Sequence, residues 1–168
     1  MTKPWLLIDI DGVLNPTWGN LGVEENGARV EHVPTNSGTF RVVFPKGHAE
    51  MLLAMQDSFN LAWCTWWMDE ANGSFRELAG LPELPVVRFD RRRDGFSKVP
   101  GILRFVGDTP FVWLDDDVTI HEAEELRESH SSFMVVEVNP YSGLTQEHLN
   151  VAREWEEELD ESSQGLDG

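Results

Sequence analysis

Five short apolar runs, at 5–10, 61–64, 85–89, 111–114 and 133–138, are separated along the chain by longer segments of mixed polarity. Each run is continuous rather than alternating, which is the pattern of a strand covered on both faces. The segments between them carry helical spacing. Over 46–59, Met51, Leu52, Met55 and Phe59 fall on one stripe, with Pro45 placed to open the helix. A short helix is expected over 69–80, closed by Gly80, and another over 97–107 with Ser97 as cap and Gly107 as stop. "TIHEAEELRES" reads as a mostly exposed helix, and "LTQEHLNVAREWEEEL" as a last one that buries Leu149, Ala152 and Trp155. Strands alternating with helices predict an α/β fold: a five-stranded parallel sheet with helices on both faces.

The interval 15–44 breaks the alternation. It is polar and turn-rich, and Asn26-Gly27 and Ser37-Gly38 are hairpin signals. A β-hairpin flap of about 16–44, inserted after the first strand, is the expected result; it is too short to be a separate cap domain.

Composition narrows the class. With 168 residues and 40 % hydrophobic content, the chain forms one domain over 1–159, followed by an acidic, disordered tail at 160–168. No apolar stretch approaches the roughly 18 residues of a membrane span. The opening Met1-Thr2-Lys3-Pro4 runs straight into the first strand, without the layout of a signal peptide. A single cysteine, Cys64, fits a reducing cytoplasm. The net charge of −17 opposes broad electrostatic binding to nucleic acid or anionic lipid. Only "RFDRRRDGFSK" offers a local basic patch, and Arg91 to Arg93 read as a solvated loop before they read as a substrate clamp.

The unusual polar residues follow the apolar runs. Asp9 and Asp11 follow the first, Thr65 the second, Lys98 the third by a loop, and Asp115, Asp116 and Asp117 the fourth. In an open parallel sheet these ends share one edge, where ligands bind. Carboxylates gathered so closely raise one another's pKa unless a cation neutralises them. An oxygen-only set suits Mg²⁺. Thr65 stands either as a helix N-cap or as a functional hydroxyl. Trp63 belongs to the core, whereas Trp66 and Trp67 either join it or line the crevice.

At these residues the chain resembles the haloacid dehalogenase-like hydrolase superfamily, whose four motifs follow strands in this order. Asp9-Ile10-Asp11-Gly12 matches the first, Thr65 the second, Lys98 the third, and Asp115 with Asp116 the fourth. "DIDGVLNP", "TWWMDEAN" and "FSKVP" are further similar to small capless members described as domains of predicted RNA-repair proteins. The resemblance implies a Rossmann-like fold without a large cap and a phosphatase of phosphate monoesters. It also implies a role for each residue. Asp9 is then the nucleophile that becomes an aspartyl-phosphate, and Asp11 the proton donor and acceptor. Asp9, Asp11 through its backbone carbonyl, Asp115 and Asp116 hold Mg²⁺, and Thr65 and Lys98 bind the phosphoryl oxygens. The implied partner is a phosphorylated small molecule, such as a nucleotide, or a nucleic-acid end, with no membrane involved. The alternative is a catalytically idle module of the same fold that binds a phosphorylated partner.

Overall fold

In the computed structural model, which describes residues 2–17 and 27–165, the first apolar run becomes β1 (Trp5–Ile8). The hairpin β2 (Arg29–Thr35) and β3 (Gly38–Phe44) follows, then α1 (His48–Leu53), β4 (Asn60–Trp63), α2 (Ser74–Ala79), α3 (Arg91–Asp94) and α4 (Val99–Val106). The chain continues through β5 (Phe111–Asp115), α5 (Ile120–Ser129), β6 (Phe133–Glu137) and α6 (Gln146–Gln164). β4, β1, β5 and β6 form, in that order, a parallel sheet of four strands.

In β1, β4 and β5 the continuous apolar runs are covered on both faces, as their pattern predicts. Leu6 and Ile8 face one side of the sheet with Leu61, Trp63, Val112 and Leu114, against α1, α2 and α6. Leu7 faces the other with Ala62, Phe111 and Trp113, against α4 and α5. Successive residues of one strand thus serve two cores. At Trp155 the α6 stripe is only half-buried, while Leu149 and Ala152 are fully buried as expected.

The expected fifth strand at 85–89 does not form. Its contact with the sheet is a single parallel bridge from Val86 to Trp63, with Trp63 N–H donating to Pro85 and Val87 N–H to Trp63. The reason lies just upstream. Both backbone groups of Leu84 are taken by the side chain of Asn72: its N–H donates to Oδ1 (3.0 Å), and its carbonyl accepts from Nδ2 (2.7 Å). Proline at 82 and 85 removes two further donors.

Other boundaries shift by smaller amounts. The helix expected over 46–59 is α1 plus a 3-10 turn at Ala54–Asp57. The one expected over 69–80 splits into a 3-10 turn at Met68–Asn72 and α2, which Gly80 closes in the left-handed conformation at φ 75°. Ser97 Oγ accepts Val99 N–H (3.2 Å) at the start of α4. α6 continues to Gln164, inside the segment expected to be a disordered tail; 166–168 lie outside the described residues.

The flap is an antiparallel hairpin closed at Thr35 and Gly38, where the second hairpin signal placed it. Val33, Val42 and Phe44 are buried in the larger core, so its base is packed on the sheet domain. Residues 18–26 of the flap interval, including Asn26 of the first signal, lie outside the described residues. No helix of the described residues is long and apolar enough to cross a membrane.

Candidate functional site

Because β1, β4 and β5 run parallel, their carboxyl ends share one edge, and a cavity of about 550 Å³ opens there. Asp9, Asp11, Thr65, Lys98, Asp115 and Asp116 all line it. With Asp117, which also lines it, the seven residues singled out in the sequence thus meet in one place, although Asp9 and Asp115 are separated by more than half of the chain.

The floor is a buried ionic group. Asp9, Lys98 and Asp115 are 6 %, 6 % and 3 % exposed. Lys98 Nζ lies 3.0 Å from Asp9 Oδ2 and 2.6 Å from Asp115 Oδ2, and donates also to the Cys64 carbonyl (3.2 Å). Asp115 is held further by Trp113 Nε1–H on Oδ2 (3.1 Å) and by Asp117 N–H on Oδ1 (3.0 Å). Asp117 therefore serves this site through its backbone. Asp9 Oδ1 accepts Ile10 N–H (2.8 Å). Oxygens of Asp9, Asp115 and Asp116 lie within 4.8 Å of one another, a group that can hold a metal ion.

Burial and neighbouring charge shift the pKa values of these groups. Burial pushes the Asp9 carboxyl up to about 8, with Asp115 adding to the rise and Lys98 opposing it. Burial also raises Asp116, again with Asp115 contributing. Burial works against the Lys98 ammonium, but Asp9 and Asp115 outweigh it and hold its pKa above the usual lysine value. Three carboxylates share one ammonium, a formal excess of two negative charges, which is the charge of one divalent cation. The donors are hard oxygens, as Mg²⁺ prefers. Gly12, at φ 78°, leaves the space: a Cβ there would collide with the Asp116 carboxyl group. The residues present fit such an ion.

Asp11 differs from its neighbours. It is exposed, and its carboxylate is not part of the three-residue group. Its oxygens instead accept Trp67 Nε1–H (2.8 Å) and Asn15 Nδ2–H (3.0 Å). Thr65 is buried, and its Oγ1 accepts Trp67 N–H (3.2 Å) in a local turn; it is not a helix N-cap, because the 3-10 turn that follows is capped at Trp67 without a side-chain bond. That bond uses a lone pair and leaves the hydroxyl proton for an acceptor in the cavity. Lys46, two residues past β3, lines a separate cavity with Arg29 and Phe44 of the hairpin.

Two supporting residues escape a reading confined to strand ends. Glu122 Oε1 accepts Lys98 N–H (3.1 Å) and Ser97 Oγ–H (3.2 Å), while Oε2 accepts Thr119 N–H (3.0 Å). It thereby fixes the loop that aims Lys98. Thr119-x-x-Glu122 is a capping box, and that spacing is the signal by which it can be found. Trp67 is the second: it packs at the edge of the core, one of the two places open to it, and no local pattern marks its bond to Asp11. Above the floor, Trp66 and Phe96 line the cavity wall. The Arg91 guanidinium lies 4.7 Å from the Trp66 ring centre and 5.6 Å from that of Phe96, so Arg91 is not merely solvated.

No family model, curated protein or solved structure matches this chain. The chemistry of the site rests on its own side chains.

Proposed function

We propose that the protein is a Mg²⁺-dependent phosphatase that hydrolyses phosphate monoesters through a phosphorylated Asp9. The observation that carries this reading is the buried Asp9–Lys98–Asp115 group on the floor of a cavity that also holds Asp11 and Thr65. The order of these residues, which resembles the motifs of haloacid dehalogenase-like hydrolases, supports it further.

In this mechanism an Asp9 oxygen attacks phosphorus and the bond to the ester oxygen breaks, with Asp11 giving that oxygen its proton. Water then attacks the same phosphorus and passes a proton to Asp11. The bond to Asp9 breaks, inorganic phosphate leaves, and both side chains return to their starting states. Lys98 and Thr65 donate to the phosphoryl oxygens as charge builds on them. Mg²⁺ held by Asp9, Asp115 and Asp116 supplies the positive charge that lets an anionic nucleophile approach an anionic ester.

The rim favours a flat leaving group. Phe96 is 83 % exposed on the cavity wall, backed by Arg91 and Trp66, an arrangement on which a nucleobase can stack. Nucleotides and nucleic-acid ends are the substrate class this supports.

The test is release of 4-nitrophenol from its phosphate ester with Mg²⁺ and with EDTA, alongside Asp9→Asn. Metal-dependent turnover that falls at least about a thousand-fold in the variant is the expected result. Phosphate binding without turnover, over a panel of nucleotides and phosphorylated oligonucleotides, would replace this reading with that of a binding module. Phe96→Ala should weaken kcat/KM for nucleotides about ten-fold and leave glycerol phosphate unaffected.

A further inference from the structure

We infer that the β2–β3 hairpin aims Asp11, with Trp67 and Asn15 as its positioning residues; the inference rests on the phosphatase reading. Asp11 is exposed, and an exposed carboxylate ordinarily samples several rotamers. Here both of its oxygens are engaged, one by Trp67 Nε1–H at 2.8 Å and the other by Asn15 Nδ2–H at 3.0 Å. Each donor is in turn held by β3. Val43 N–H donates to Asn15 Oδ1 at 2.9 Å. Since a backbone N–H can only donate, this bond fixes the amide orientation and turns Nδ2 towards the carboxylate. The Phe40 ring lies 5.6 Å from the Trp67 ring, while Phe75 of α2 lies 5.5 Å away and supports it further.

One face of the hairpin is packed nearly to its turn, with Val33 buried opposite Phe40. Val42 and Val43 are buried, whereas Phe40 is 46 % exposed and gives little to the core. A strand packed into the sheet domain thus holds both donors of the two hydrogen bonds on one catalytic carboxylate. Thr65 shares the arrangement, because its Oγ1 accepts the backbone N–H of Trp67.

A proton donor held in place matters in proportion to the leaving group's need for a proton. An alkoxide needs one to depart; 4-nitrophenolate does not. The experiment compares kcat/KM for glycerol phosphate and 4-nitrophenyl phosphate in the full chain with Mg²⁺, for Trp67→Phe, Phe40→Ala and Phe40→Tyr. Trp67→Phe and Phe40→Ala should lose at least about ten-fold on the alkyl ester and less than about two-fold on the aryl ester, with Phe40→Tyr close to the parent. An equal fall on both esters would overturn the inference. A parent protein inert on both esters would instead remove the phosphatase reading.

A second arm reads the geometry without turnover. The Trp67 indole N–H resonance, identified by its loss in Trp67→Phe, should exchange slowly with deuterium, and faster in both Asp11→Ala and Phe40→Ala. Unchanged exchange in Phe40→Ala would sink the role of the hairpin whatever the activity shows.

Discussion

Lys98 and Asp115 meet at 2.6 Å, and Arg88 and Asp69 meet at 2.7 Å through both nitrogens and both oxygens of a fork. By geometry alone the second pair looks the stronger. Its side chains are about two-thirds exposed, however, at 67 % and 68 %, so water screens the contact and competes for it. The hydrogen bond from Arg88 lowers the Asp69 pKa, as expected of an ordinary surface pair. Around Lys98 the same kind of contact sits in a floor that water barely reaches, and a third carboxylate joins it. There, burial pushes Asp9 up to about 8, with Asp115 adding to the rise and Lys98 only partly offsetting it. Contact length therefore says little about the two pairs; exposure makes one a surface detail, and burial makes the other an ionic group that costs stability.

The largest separation between the two regions should come from deleting the cations. Lys98→Met leaves Asp9 and Asp115 buried and unpaired, a loss of about 3–5 kcal/mol that lowers the melting temperature by about 10 °C. Calorimetry that finds no loss would break the comparison. Next comes the missing positive charge. Mg²⁺ at about a hundred times its Kd should stabilise the parent protein by about 2.7 kcal/mol, and Asp115→Asn should abolish the effect in the same thermal melt.

A pH series in EDTA sharpens the contrast further. Folded Asp9 keeps its proton up to about 8, whereas its ordinary value is 3.8. Between these values the unfolded chain binds fewer protons, so stability falls as pH rises from about 4 to about 8 and levels off above. Asp9→Asn should lack this slope and melt above the parent at about pH 9. The smallest effect belongs to the surface pair: Asp69→Asn should leave the melting temperature unresolved from the parent at physiological salt.

What the sequence reveals follows the range of the interactions involved. β1, β4, β5 and β6 are readable because each apolar run has its own two-sided pattern, and the carboxylates are readable because they follow directly from those runs. The run at 85–89 has the same look, yet its fate is decided by Asn72, whose amide holds Leu84 and accepts Trp63 Nε1–H at 2.8 Å. That contact joins a 3-10 turn to a loop and leaves no mark in either. Trp67 is hidden for a similar reason. It lies two residues past Thr65 and reads as either a core or a crevice residue, and only the fold brings its N–H to Asp11. Arg91 is legible as a charge and illegible as a stacking partner, since Phe96 and Trp66 flank it from different segments.

The unformed fifth strand has a further consequence. A sheet margin with free N–H and C=O groups invites a strand from another molecule, which is how many folded chains begin to aggregate. Here the segment carrying Pro82 and Pro85 meets that margin at the last residue of β4, occupies both backbone groups of Trp63 and offers no donor at either proline. The protein thereby guards this side of its sheet with a stretch that cannot itself be extended.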